Sequence, residues 1–334
     1  MALSPTSREV AATDTILALE DVSVSLRHGG REMVSAVSLS VRREELFGIV
    51  GESGSGKTML VRTVFGLHDD AYVSSGAMTF DGRRIEAAGH RPAVKKLLGR
   101  RVGFVPQDPF SSLNPSMRVG RQITEALHLS KGVPPKSARA REAAVSLLAE
   151  VGIPEPEAAF AQYPDQFSGG MRQRIVFAIA LSQEPELLIA DEPTTALDAS
   201  TQRRIVDLIV DRSRTRGVSV ILISHNLELL RQSMDRIAVL YSGQLMNVIP
   251  ARNLGAREVH PYTDALFGCI PTKDKRLADI RSIPGEPAGA GFGRTGCAFA
   301  ERCKSAVEGC RTGALPVNSG GPSRFSACLR GIGA

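Results

Sequence analysis

The sequence predicts an α/β fold: a buried parallel sheet, a small antiparallel β subdomain and a helical insert. Three observations carry this expectation. The apolar run Leu46-Phe47-Gly48-Ile49-Val50 reads as a buried strand that feeds Gly51-Glu52-Ser53-Gly54-Ser55-Gly56-Lys57-Thr58 and then a helix. A second apolar run, Leu187-Leu188-Ile189-Ala190, ends in Asp191-Glu192. Between them, over about residues 108–182, apolar positions recur at helical rather than strand spacing.

Taken in order, residues 16–26 alternate well enough for a strand, and Val34–Val41 repeats the pattern after the Arg27–Arg31 turn, which gives the antiparallel subdomain. The octapeptide from Gly51 fits the phosphate-loop pattern G-x-x-x-x-G-K-[ST] at every fixed position. Gly51, Ser53, Gly54, Ser55 and Gly56 form a cradle in which the glycines let consecutive N–H groups turn inward. The helix expected over Met59–Leu67 adds the positive end of its dipole, Lys57 supplies a point charge for outer phosphates, and Thr58 offers a hydroxyl to Mg²⁺. A glycine-rich turn with a chance lysine would not require the strand and helix that flank it.

Ala77–Phe80 and Arg83–Ile85, joined by Asp81-Gly82, read as a second short hairpin. Val102–Val105 is an apolar strand that stops at Pro106, and Gln107 opens a turn-rich segment. Helices are expected over 119–129 and 137–151, and again to Leu181 after Phe167-Ser168-Gly169-Gly170-Met171-Arg172-Gln173-Arg174. The strand before Asp191 sets that carboxylate near the Thr58 end of the loop, where Mg²⁺ would sit, and Glu192 can orient or deprotonate an attacking water. A helix over 201–215, the strand Val218–Ile223, a helix over Leu227–Met234 and the strand Arg236–Tyr241 complete the alternation. His225 follows the strand Val218–Ile223. A histidine there is more often structural, but it stands at the carboxyl edge of a parallel sheet, where ligands bind.

Composition narrows the classes. The 334 residues suggest roughly two domains. No apolar run approaches the ~20 residues needed to span a bilayer. Met1–Thr15 lacks the apolar core of a signal peptide and reads as a flexible leader, so a cytoplasmic protein is expected. The net charge of +6 is dispersed except over His90–Arg101, and four Tyr with no Trp offer little for stacking on bases, which argues against nucleic acid as a partner. Four of five cysteines, Cys297, Cys303, Cys310 and Cys328, lie near the C-terminus. In a reducing compartment such clustering favours a metal site over disulfides.

The octet Phe167–Arg174, placed between a phosphate loop and an acidic strand end, resembles the signature of the ABC-type ATPases. The resemblance implies a P-loop, RecA-like ABC ATPase core that binds ATP with Mg²⁺ and dimerises head to tail. Each ATP would lie between the phosphate loop of one subunit and Ser168, Gly169 and Gly170 of the other. It further implies that Gln107 senses Mg²⁺ and the attacking water, Asp191 holds Mg²⁺, Glu192 is the catalytic carboxylate, Asp198 belongs to the segment called the D-loop and His225 contacts the γ-phosphate. One position departs from the family pattern. Where an aromatic residue usually stacks on adenine, this chain offers Leu26 or His28.

Gln107–Pro115 and His260–Leu266 are similar to segments of the oligopeptide/dipeptide/nickel importer ATPases. So are Ile283-Pro284-Gly285-Glu286-Pro287 and Gly296-Cys297-Ala298-Phe299-Ala300-Glu301-Arg302-Cys303. The resemblance covers about residues 16–330, leaving the leader (1–15) outside it, and implies an ATPase domain (16–260, with a helical subdomain at about 108–182) and a Cys-rich C-terminal extension (261–334). It implies as partners a second ATPase subunit (in a heterodimer or a homodimer), two integral membrane permease subunits and an extracytoplasmic solute-binding protein, and a place on the cytoplasmic face of the inner membrane. It also implies that the four cysteines hold a [4Fe–4S] cluster, with Zn²⁺ as the alternative. The competing reading is a soluble ABC ATPase acting on ribosomes or DNA. A single phosphate loop and the absence of sustained heptads weigh against it.

Overall fold

The computed structural model describes residues 14–28, 30, 32–67, 70–86, 94, 96–193, 199–254, 259–270, 282–287, 296–313, 318–319 and 325–328. In chain order its strands are β1 (Thr15–Leu26), β2 (Glu32–Arg42), β3 (Leu46–Val50), β4 (Tyr72–Phe80), β5 (Arg83–Glu86) and β6 (Val102–Val105). They continue as β7 (Leu187–Asp191), β8 (Ser219–Ile223), β9 (Arg236–Tyr241), β10 (Gln244–Pro250), β11 (Asn318–Ser319) and β12 (Phe325–Ser326). The longer helices are α1 (Lys57–Val64), α2 (Val119–Lys131), α3 (Ala138–Glu150), α4 (Gly169–Ser182), α5 (Ala199–Arg216), α6 (Leu227–Ser233) and α7 (Pro261–Gly268).

Two sheets result. The central one runs β11-β12-β10-β9-β3-β8-β7-β6, with β9, β3, β8, β7 and β6 all parallel. Their side chains divide with a period of two between two cores. Leu46, Val50, Leu188, Ala190, Val220 and Leu222 face one core, which is continuous with Ile123, Leu148 and Phe177 of the helical insert. Phe47, Ile49, Leu187, Ile189, Ile221 and Ile223 face the other, shared with α1 and the antiparallel sheet. Strands buried on both faces have no polar side, which is why they read as unbroken apolar runs.

The antiparallel subdomain differs from expectation. The predicted second hairpin is not separate: β4 begins at Tyr72 and pairs with β1 from Leu26↔Tyr72 to Leu17↔Phe80, so the sheet runs β2-β1-β4-β5. The pairing shifts register between Glu20 and Ser23, where Asp21 (φ 49°) bulges against Gly76 (φ 86°). A Cβ on Gly76 would lie 2.4 Å from the Asp21 carbonyl oxygen, so only glycine admits this close pass. Ion pairs tie this sheet to the central one: Arg101 holds Asp81 and Glu186, each at 2.5 Å, and Arg43 also contacts both.

Helix α1 starts two residues before the expected Met59, because Gly56 in the left-handed region (φ 95°) is already its N-cap. It stops earlier as well. Gly66 (φ 64°) closes a Schellman turn in which Leu67 N–H donates to Arg62 O and Gly66 N–H to Thr63 O. Beyond β9, the Ser242-Gly243 turn does not end the sheet. Both residues have positive φ (45° and 84°), the signature of a tight hairpin turn, and β10 returns antiparallel to β9. Strands β12 and β11 then extend the sheet with residues from the C-terminal extension.

Candidate functional site

The carboxyl ends of β3, β8, β7 and β6 lie side by side, and each delivers one part of the predicted site. Strand β3 delivers the loop Gly51–Thr58. Its shape is dictated by close packing, since a Cβ on Gly51 would lie 2.2 Å from Leu240 O, and one on Gly56 2.9 Å from Met33 O. Gly243, on the β9–β10 turn, donates its N–H to Ser55 O and accepts from Ser35 N, so the loop is stitched to both sheets. The Lys57 ammonium, buried within the loop, reaches Gly51 O and Glu52 O, each at 2.9 Å, and Ser55 Oγ at 3.3 Å. Burial lowers its pKa, while the charges of Glu192 and Asp191 oppose the fall.

At the end of β7 the fully buried Asp191 accepts a hydrogen bond from the Thr58 hydroxyl through Oδ1 (2.8 Å). Its Oδ2 has no hydrogen-bond partner among the described residues and lies 3.8 Å from Arg62 Nε. Burial pushes the Asp191 pKa upward, opposed chiefly by the Thr58 bond and the Arg62 charge. A buried carboxylate oxygen without a donor, beside a hydroxyl, is a donor set that fits a hard divalent cation.

Glu192 follows in a left-handed conformation (φ 44°), its N–H held by Ile223 O at 3.0 Å. The two side chains predicted to work with it converge on one oxygen. Gln107 Nε2, just beyond β6, is 3.4 Å from Glu192 Oε2, and His225 Nδ1, just beyond β8, is 3.7 Å from the same atom. His225 is about half exposed, whereas the Glu192 side chain is mostly covered.

Ser168 caps α4, its Oγ accepting from Met171 N–H at 3.4 Å, and the residue itself is exposed. Phe110, from the segment after Gln107, lies under the Arg172 guanidinium at 4.6 Å and within van der Waals reach of a Cβ on Gly169. Among the described residues no hydrogen bond joins Ser168–Gly170 to the phosphate loop of the same chain. Asp198 lies outside the described residues. Leu26 stands opposite Tyr72 in the β1–β4 ladder, and the Tyr72 ring is packed against the core.

All four C-terminal cysteines are described, half-buried, and in no disulfide. Cys303, Cys310 and Cys328 act electrostatically on Cys297, whose pKa burial pushes up to about 11. Cys297 N–H donates to Cys310 O at 2.8 Å, an approach that requires Gly296 (φ 103°) between the strands of chain. Among the described residues, however, no three His, Cys, Asp or Glu side chains are gathered as a metal's ligands. The thiols share a neighbourhood without forming the assembled set that their clustering suggests.

Two contacts were not foreseen. The Glu52 backbone N–H donates to the Tyr262 hydroxyl (3.1 Å), and Glu52 Oε2 accepts from Arg302 Nη1 (2.9 Å). Both partners belong to the C-terminal segments singled out in the sequence, but nothing in their spacing points to the phosphate loop.

Comparison with known proteins gives consistent results. Residues 34–195 match the family described as ABC transporter, and residues 246–310 match that described as oligopeptide/dipeptide transporter, C-terminal region. The chain is 37% identical over 335 aligned residues to the oligopeptide transport ATP-binding protein OppD of Salmonella typhimurium, covering 99% of each chain. It is 38% identical to the dipeptide transport ATP-binding protein DppD of Bacillus subtilis, covering 89% of each. Among solved structures, cbiO1 of Clostridium perfringens, part of an ABC transporter complex, superposes with a TM-score of 0.62 at 25% identity, covering 73% of this chain and 92% of that one.

Proposed function

The chain belongs to the ABC transporter ATPases of the oligopeptide/dipeptide type, and from that premise we propose that it hydrolyses ATP to power an importer of peptides or a related small solute. The observation that carries the reading is the convergence at one sheet edge of Thr58, Asp191, Glu192, Gln107 and His225. Thr58, Gln107 and the unbonded Asp191 Oδ2 would hold Mg²⁺, which would supply positive charge against the negative charge developing on the phosphates. Gly51, Ser53, Gly54, Ser55 and Gly56 bind and orient the phosphates through inward N–H groups, and Lys57 adds its charge. Glu192 takes a proton from the attacking water, and Gln107 and His225 hold the carboxylate that does so.

The Ser168–Gly170 cap, with Ser168 exposed and the two glycines half-buried, offers a hydroxyl and helix N-terminal amides, an arrangement suited to a phosphate held by another subunit. The working unit is therefore a dimer with a second ATPase subunit, docked through the helical insert on two membrane permeases that a solute-binding protein supplies. No described helix is long and apolar enough to cross a membrane, which fits a peripheral place on the cytoplasmic face. The C-terminal match at residues 246–310 favours this over action on ribosomes or DNA. On purification from its host the protein is expected to carry integral membrane proteins with it. Recovery with ribosomes or DNA instead would overturn the reading.

Two finer expectations belong to this function. With Leu26 and His28 where a stacking ring would stand, GTP is expected to compete with ATP more effectively than in relatives that stack adenine. Leu26→Tyr or His28→Tyr should tighten ATP binding by about 1 kcal/mol, the worth of one aromatic pair. Competition titrations decide this, and a large native preference for ATP would show that other contacts read the base. The four cysteines would take a [4Fe–4S] cluster, or Zn²⁺, by deprotonating and closing on the metal. Their shared neighbourhood supports this and their present spacing does not. Anaerobic purification followed by iron, sulfide and zinc analysis is expected to find one metal centre per chain. A folded extension without metal would leave four packed thiols.

A further inference from the structure

The phosphate loop is gripped from outside at Glu52, a position its motif leaves open. Arg302, with a side chain only 7% exposed, bonds the Glu52 carboxylate at 2.9 Å. The same guanidinium donates to the Tyr241 hydroxyl (3.1 Å), to Pro284 O (2.8 Å) and to Ile283 O (3.2 Å). Tyr262, whose hydroxyl takes the Glu52 N–H, packs its ring against Tyr241 at 4.6 Å and Phe299 at 5.2 Å. On its inner side Glu52 O accepts from Lys57 Nζ (2.9 Å) and from Ser55 N–H (3.2 Å). One residue thus faces the phosphate cradle with its carbonyl and the C-terminal extension with its amide and carboxylate.

A carboxylate at this place is a liability for a site that binds a polyphosphate. It is largely shielded from water, so its repulsion of a nearby anion is weakly screened. Arg302 cancels it with a charge that cannot titrate away and that three other acceptors and the Tyr241 ring hold in place. We propose that Arg302 is a positioning residue for the nucleotide site: it neutralises Glu52 and ties it to the C-terminal extension, so that the extension sets the affinity for MgATP. The inference rests on reading Gly51–Thr58 as the phosphate site.

The test is equilibrium titration of the full-length protein with MgATP, followed by the KM and kcat of the assembled transporter. Arg302→Gln, which keeps a donor for the carbonyls of Ile283 and Pro284, is expected to weaken MgATP binding about tenfold, the worth of one charge-assisted hydrogen bond. KM should rise accordingly while kcat at saturation is retained. Glu52→Gln should bind MgATP at least as tightly as the wild type. The double variant Glu52→Gln/Arg302→Gln should return to within about threefold of the wild type, because the unpaired carboxylate is gone. If Arg302 only stabilises the extension, the double variant will be as weak as Arg302→Gln or weaker, and the proposal falls. It falls too if Arg302→Gln binds normally. Should the Arg302 variants fail to fold, Glu52→Gln still decides, since weaker binding by that variant contradicts a cancelled charge. Lys57→Ala separates the two levels: if it also binds MgATP normally, it is the reading of the loop that has failed, not the role of Arg302.

Discussion

Glu192→Gln is expected to leave MgATP binding intact and to lower steady-state hydrolysis by about two to four orders of magnitude, the usual worth of a general base. The amide keeps the size of the side chain and its contacts with Gln107 and His225, but it cannot accept a proton from water. Asp191 and Thr58, the proposed metal ligands, are bonded to each other and untouched. Because binding survives while hydrolysis stops, the ATP-bound dimer should accumulate and be visible as a change in mass by light scattering. Substantial turnover by the variant would remove Glu192 from its assigned role.

Lys57→Ala is expected to act one step earlier, weakening nucleotide binding by on the order of a hundredfold through loss of charge-assisted bonds. Two losses combine. The phosphates lose a positive charge, and the loop loses the ammonium that gathers Gly51 O, Glu52 O and Ser55 Oγ into one curve. Nucleotide titration separates this variant from Glu192→Gln: the first fails to bind, the second binds and fails to turn over.

The parts of the site legible in the sequence are those whose chemistry is written in consecutive residues. Gly51–Thr58 needs its glycines, lysine and threonine at fixed offsets, and Asp191-Glu192 needs only an apolar strand before it. Gln107 and His225 were placed by resemblance, and the parallel sheet explains why: each follows a strand whose neighbour ends at the same edge, so adjacency in space replaces adjacency in sequence. What stayed hidden was pairing over long separations. Tyr72–Ser75 shows no apolar alternation, because that half of β4 is steered by its register with β1 rather than by burial. Strand β10 is not among the predicted strands although Gln244–Pro250 is almost wholly buried, because a Ser242-Gly243 turn alone does not say that the chain returns as a hairpin. Likewise, no local pattern could tell that Tyr262 and Arg302 close on a loop some two hundred residues earlier.

The left-handed backbone of Glu192 sets stability and activity against each other at a single position. A glutamate held at φ 44° costs about 1–2 kcal/mol relative to a relaxed conformation, a cost glycine would largely escape. The bond from its N–H to Ile223 O, the last rung between β7 and β8, keeps it there. The substitution that most relieves the backbone here is also the one that deletes the proposed proton acceptor. Selection for heat tolerance alone would therefore push this position toward glycine and an inert cassette, and a glutamate persists there only while turnover itself is under selection.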